Sequence, residues 1–295
     1  MSLSVRPFHL LLFVGIMVVW GLNLVIGKIG IEQIPPILLM ALRFGLAALL
    51  IAPFVPRPHG HWREVILIST SLGLIHFALM FTGLKNLDAA VAAVVIQLQV
   101  PFAALLAAFV FGDKLGWRRA LGLVIAFAGV ALIAGEPRFH GEYGPLFLVL
   151  LATLMWSVAN IQIKKLEGVD GMTLNAWVAI LATPQLLIAS FLLEDGQWAA
   201  VTNADWRAWG SVVYQAVMVY WIGYGTWLWL LRQYEVNQAM PFTLLVPLVG
   251  VAAGVIFLDE AFTLALAAGG LLTIIGVAII LIRRPKTAAP EAERF

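Results

Sequence analysis

Ten runs of about twenty predominantly apolar residues follow one another along this chain, and they restrict its fold more than any other feature. A run of that length crosses the roughly 30 Å hydrocarbon layer as a helix, at about 1.5 Å per residue. Inside lipid the backbone must satisfy its own hydrogen bonds, so only helices or closed barrels can span. Barrel strands read as stretches of about ten residues with alternating polarity. The runs here are twice that length and apolar throughout. With 62% hydrophobic and 12% charged residues, against roughly 25% charged in soluble domains, the bilayer must be the solvent. An all-α membrane protein is therefore expected.

Spans are predicted at about 10–29, 35–55, 64–84, 88–111, 117–135, 144–164, 172–193, 207–232, 237–257 and 263–283. Proline and glycine punctuate them. Pro35-Pro36 opens the second, Pro53, Pro56 and Pro58 close it, Gly112 and Gly116 bracket the fourth turn, and Pro285 follows the tenth. The first apolar run continues through Trp20, Gly21 and Asn23 with no small-residue cleavage site after it, so it is read as a retained helix rather than a signal peptide.

Lysine and arginine set the orientation. With the N-terminus inside, thirteen basic residues fall in inner segments: Arg6, Arg57, Arg63, Lys114, Arg118, Arg119, Lys164, Lys165, Arg232, Arg283, Arg284, Lys286 and Arg294. Four fall outside, namely Lys28, Lys85, Arg138 and Arg207, and Arg43 lies within the second span. That imbalance puts both termini in the cytoplasm. Trp206 and Trp209 on the outer side, with Trp62 and Trp117 on the inner, suit interfacial aromatic belts.

The chain also repeats itself. An offset of 146 residues aligns Ala93, Leu98, Val100, Pro101, Ala107, Phe111 and Asp113 with Ala239, Leu244, Val246, Pro247, Ala253, Phe257 and Asp259. An offset of 136 pairs Trp20 with Trp156 and Lys28 with Lys164. The expected organisation is one five-helix unit over 1–143, a second over 144–284 and a cytoplasmic tail at 285–295. Five is odd, so the second unit enters from the opposite side. Inverted repeats of this kind place a transporter's site at the interface between them.

Several polar or aromatic groups interrupt the apolar runs. Mid-span Pro101 and Pro247 each remove a hydrogen bond and disturb the carbonyl four residues back, at Gln97 and Thr243. Those carbonyls need neighbouring helices or a water-lined cavity. Ala104-xxx-Ala108 and Gly250-xxx-Gly254 are small-residue pairs that permit close helix contact. Trp20 with Asn23, and Trp156 with Asn160, set an indole and an amide about one turn apart. Either pair could recognise a substrate or join helices. His76 sits about 18 Å into the third span and is the central group able to titrate near neutrality. Arg43, about two turns below the outer surface, either snorkels outward, holds a substrate carboxylate or caps a helix end. In the aromatic eighth span, Tyr214, Trp221 and Tyr224 are the candidate cavity residues.

Absences narrow the chemistry. None of the sixteen Asp and Glu residues lies mid-span, so no carboxylate proton relay is expected. No phosphate-binding G-x-x-x-x-G-K-[ST] loop occurs. There is no cysteine. No intramembrane catalytic set, metal site or Schiff-base lysine is expected, and neither a cofactor nor nucleic acid.

The Trp20-Gly21-Leu22-Asn23 opening, Leu42-Arg43-Phe44, Pro101 and Phe111-Gly112-Asp113 together resemble the EamA-type drug/metabolite transporters, over nearly the whole chain. The resemblance implies ten helices around a central cavity, alternating access, and export across the bacterial inner membrane. Amino acids or related metabolites are the expected cargo, the chain acting as a monomer or weak homodimer in the lipid bilayer. A channel-like facilitator, or an exporter of another metabolite or drug class, is the alternative.

Overall fold

The computed structural model describes residues 6–112, 115–136, 143–234 and 236–281, and these are helical with no strand among them. Asp113, Lys114, Arg138, His140, Pro285, Arg283, Arg284, Lys286, Arg294 and the expected 285–295 tail fall outside the described residues.

Nine described helices are long and apolar enough to cross a membrane. They are α1 (Pro7–Ile31), α2 (Pro36–Phe54), α3 (Trp62–Lys85), α4 (Ala89–Phe111), α5 (Trp117–Ala134), α6 (Gly144–Lys165), α7 (Gly171–Leu193), α9 (Met240–Leu258) and α10 (Leu264–Leu281). Between α7 and α9 lies α8, a helical run over 206–231. Its Trp and Tyr residues rate poorly on hydropathy scales because their rings carry polar atoms, although such side chains suit a bilayer interface.

Local chemistry explains the helix limits. Pro7, Pro36 and Pro145 occupy first-turn positions, where a missing N–H costs nothing. The α4 C-cap is Gly112 at φ 67°. Asp259 caps α9 at φ 52°, a left-handed conformation that Asp tolerates better than most residues. Asp170 caps α7, accepting from the N–H groups of Met172 and Thr173 at 3.0 and 3.1 Å. Burial pushes the Asp170 carboxyl up. The Thr173 hydroxyl and the two backbone N–H groups, with the Arg232 charge, outweigh it and hold the carboxyl below its ordinary value. Asp170→Ala should therefore cost about 1 kcal/mol, read as a lowered Tm at neutral pH. Because the folded value is depressed, the wild-type advantage is present above the unfolded carboxylate pKa and disappears as pH falls through the folded one.

Two packing features position the interior. The first is a glycine seam between α5 and α10. A Cβ at Gly129 would meet the Gly269 carbonyl oxygen at 2.5 Å, and one at Gly276 would meet that of Gly122 at 2.5 Å. Gly122 and Gly129 are seven residues apart, as are Gly269 and Gly276, so each pair lies on one helix face. The second feature is a divergence of α4 from α9. All seven residues of Ala89–Val95 are buried, and this half of α4 packs on Leu245–Leu258 of α9. Gly250 meets Ala93 there, and Gly254 meets Ala90. The other half of α4 packs on α6 instead. Only Pro101 is buried within Gln99–Phe111, and nothing is buried within Met240–Leu244 of α9. Ala104 and Ala108 are half-buried, and the Gly250–Gly254 pair makes a close helix contact with Ala93 and Ala90. The buried half of α4 lies on the side where α1 ends (the far side). The less buried halves of α4 and α9 lie on the side where α1 begins (the near side), where Phe13 nonetheless stacks on Phe242 at 4.6 Å between ring centres.

Irregular turns recur at matching places. A 3-10 turn at Ile96–Leu98 precedes Pro101, and another at Met240–Leu244 precedes Pro247. The third helix of the first half is π-helical over Ser69–His76, and α8 is π-helical over Tyr214–Gly223. Wide π turns are rare and recur at functional sites.

Candidate functional site

Arg43 is the largest fully buried side chain in the described structure, at 1% exposure. It does not snorkel. Its Nη1 lies 3.4 Å from Gln215 Oε1, and its Nε has no hydrogen-bond partner. Among the described residues no carboxylate pairs with it. The guanidinium lies instead within an aromatic cage, 4.5 Å from the ring centre of Phe77, 5.2 Å from Phe44 and 5.9 Å from Tyr220. Cation–π attraction offsets part of the desolvation cost. It does not replace an anion.

From this cage a continuous aromatic wall extends in both directions. Phe77 adjoins His76 at 4.6 Å between ring centres, and His76 adjoins Trp156 at 4.9 Å. On the other side Tyr220 meets Tyr224 at 5.6 Å, and Tyr224 meets Trp20 at 5.1 Å. The wall thus joins α6, α3, α2, α8 and α1. His76 is buried, and its Nδ1 lies 2.8 Å from the Ala152 carbonyl oxygen. A carbonyl only accepts, so Nδ1 carries the proton and Nε2 is left as an acceptor. Trp20 and Trp156, paired by the sequence offset, each pack on a residue at the end of a π-helical stretch: Tyr224 in one case, His76 in the other.

Three further buried polar atoms lack a partner among the described residues: Nε1 of Trp20 on this wall, Oδ1 of Asn23 three residues along α1, and Oε1 of Gln185 on α7. Buried polar groups in native folds are nearly always satisfied. Trp20 and Arg43 thus hold unmet donors, and Asn23 an unmet acceptor.

The remaining sequence candidates divide. Gln97 is buried in its 3-10 turn. Beside it, Ser157 Oγ donates to the Gln99 carbonyl at 2.9 Å, tying α6 to the turn before Pro101. Thr243 turns its hydroxyl to the Met240 carbonyl at 2.7 Å within its own turn. Tyr214 donates to the Val19 carbonyl on α1 at 2.9 Å. Asn160 is exposed, its amide donating to Trp156 O one turn back, and Trp221 is exposed at 43%. Neither joins the wall. Phe44, Phe77, Tyr220 and Gln215 complete the cage but were not among the expected site residues. A glutamine in the middle of an aromatic span was the available signal for Gln215. A depression of about 420 Å³ lined by Pro35, Leu79, Lys85 and Asp195 lies on the far side and contains none of these residues.

The profile of the EamA-like transporter family matches residues 7–135 and again 144–282. A Salmonella typhimurium protein named "Probable amino-acid metabolite efflux pump" is 33% identical over 274 residues, which cover 90% of this chain and 91% of that protein. An Escherichia coli protein of the same name is 31% identical over an equal length, and a Bacillus subtilis uncharacterized transporter is 26% identical over 277 residues. A solved crystal structure superposes with a TM-score of 0.65, at 21% identity, over 93% of this chain and 96% of the other. That likeness concerns the fold.

Proposed function

The chain belongs to the EamA-like transporter family of the drug/metabolite transporter superfamily, and from that premise we propose that it exports amino acids or closely related metabolites by alternating access. The observation that carries the reading is the buried Arg43 guanidinium, caged by aromatics and lacking a protein carboxylate. In this reading the halves 1–143 and 144–284 are inverted five-helix repeats, α8 is the tenth span, and the near side faces the cytoplasm. The less buried near-side halves of α4 and α9 flank the way in from the cytoplasm. A solute passes between them to the wall formed by Trp20, Tyr224, Tyr220, His76 and Trp156. Its carboxylate takes the Arg43 donors, and its body lies against the rings. The unmet polar atoms of Trp20 and Asn23 bind its other polar groups or the water that accompanies it. Gln97, Thr243, Asn160, Tyr214 and Trp221 line the approach. The 3-10 turns ahead of Pro101 and Pro247 bend as the halves rock.

The test is efflux of preloaded radiolabelled amino acids from liposomes holding the purified protein, with and without a pH gradient. Saturable efflux with counterflow is expected, and the corresponding decarboxylated amines should leave no faster than from empty liposomes. Equal efflux of amine and amino acid would remove Arg43 from substrate recognition. Efflux without saturation would mark a channel. No amino-acid efflux at all would point to another metabolite class.

A further inference from the structure

Glu260 stands just past the C-terminus of α9, yet its side chain is 5% exposed and its carboxylate accepts from Lys28, Ala89 and Ala90, all in the first half of the chain. Oε1 accepts from the Ala89 N–H at 2.7 Å and from Lys28 Nζ at 3.1 Å, and Oε2 accepts from the Ala90 N–H at 2.8 Å. The carboxylate therefore caps the N-terminus of α4, where the helix dipole favours negative charge, and pairs with the last turn of α1. Lys28 is fixed a second time by the Leu87 carbonyl at 2.7 Å. The side chain can reach because Asp259 turns left-handed, bringing the Glu260 N–H back to the Gly254 carbonyl at 3.3 Å. Gly254, having no side chain, leaves the space that Oε2 fills. Directly beneath are the fully buried residues of Ala89–Val95.

We propose that Glu260 and Lys28 form the outer gate of the transporter, a latch that must break before the far side can open. The inference rests on the alternating-access reading above. Among the described residues the ion pair joining the two halves lies on the far side. The offsets that relate the halves take Lys28 to Lys164 but Glu260 to Lys114. By sequence the equivalent pair is two lysines, of which Lys114 lies outside the described residues. Lys164 lies over the Phe111 ring, 4.2 Å from its centre. The Lys28–Glu260 pair thus favours the far side shut, while the near side is tied by neutral contacts such as His9 with Tyr234 at 2.7 Å. A second carboxylate, Glu194 at the end of α7, reinforces the same side by capping α2 through the N–H groups of Ile37 and Leu38 at 2.7 and 3.0 Å.

The natural chain has no cysteine, so a single Ala93→Cys places one thiol just below the latch, at a position 1% exposed. The full-length protein, oriented in liposomes, is labelled from the far side with a membrane-impermeant maleimide. Labelling should accelerate roughly tenfold when Glu260→Ala or Lys28→Met is added, within the range of coupled two-state equilibria. Lys28→Met leaves the α4 cap in place, so it serves if Glu260→Ala does not fold. Unchanged labelling in a folded Lys28→Met protein overturns the gate. If labelling accelerates while the parent protein moves no amino acid, the gate stands and the cargo assignment falls. If amino acids move and labelling does not respond, the gate falls alone.

Discussion

Gly129→Leu should prevent α5 and α10 from packing and leave a protein that is destabilised throughout. The Cβ alone would lie 2.5 Å from the Gly269 carbonyl oxygen and 2.7 Å from the Thr273 nitrogen. Both are backbone atoms of a helix that cannot yield locally. The helices must separate, and separation also removes the Gly122–Gly276 contact two turns away. Thr273, which holds the Gly269 carbonyl at 2.8 Å, would be displaced with them. Overpacking a close-fitted core typically costs 1–3 kcal/mol, and this site sits at about the upper end or beyond. At roughly 2–4 °C per kcal/mol for chains of comparable size, Tm in detergent should fall by about 10 °C. Gly276→Leu should behave alike. Gly15→Leu is the control, because a Cβ at Gly15 meets nothing within 4 Å, and its Tm should not move. An unchanged Tm in Gly129→Leu would mean that the seam is not close-packed in solution.

Arg43→Gln should abolish amino-acid efflux while leaving the protein folded. Glutamine retains much of the side-chain stem and can still bond Gln215, but it brings neither the charge nor the donor fork. Losing one partner of a buried, hydrogen-bonded charge pair costs about 2–5 kcal/mol, so the rate at subsaturating substrate should drop by about a hundredfold or more. Folding should suffer less, because in the empty protein the guanidinium is an uncompensated buried charge. Arg43→Lys should fall between the two, keeping charge without bidentate geometry. Measurement pairs efflux with Tm for each variant. If Arg43→Gln unfolds the protein and Arg43→Lys transports normally, the residue is a brace and the carboxylate must bind elsewhere.

Much of this was legible from residue order, and the rest was hidden for identifiable reasons. Helical class follows from run length alone. Arg43, His76, Trp20 and Trp156 stood out because polar or amphipathic groups are costly at depth, and the structure brings all four to one wall. Pro101 and Pro247 stood out by their offset, and each follows a 3-10 turn. Around Trp221 a π turn changes the helical geometry. In a regular α-helix residues seven apart share a face, since each advances about 100°. The π turn advances each residue by less, which leaves Trp221 exposed and puts Tyr220 against Arg43. Glu260 was invisible for another reason. Its partners, Ala89, Ala90 and Lys28, are more than 160 residues away, and a carboxylate just past a helix end looks like any solvated loop charge. A carboxylate can be buried at a helix end once it finds the positive pole of another helix.

The two π-helical stretches have a bearing on ancestry. A π turn is what one surplus residue leaves behind when it enters an established α-helix, since the flanking turns keep their places and the excess bulges. Ser69–His76 and Tyr214–Gly223 hold that surplus in the same helix of each half. If the halves descend from one doubled gene, the simplest history is a single insertion in the undoubled ancestor, inherited by both descendants and discarded by neither. Excising one residue from either stretch would then undo that event in half the molecule, and would show which half still depends on it.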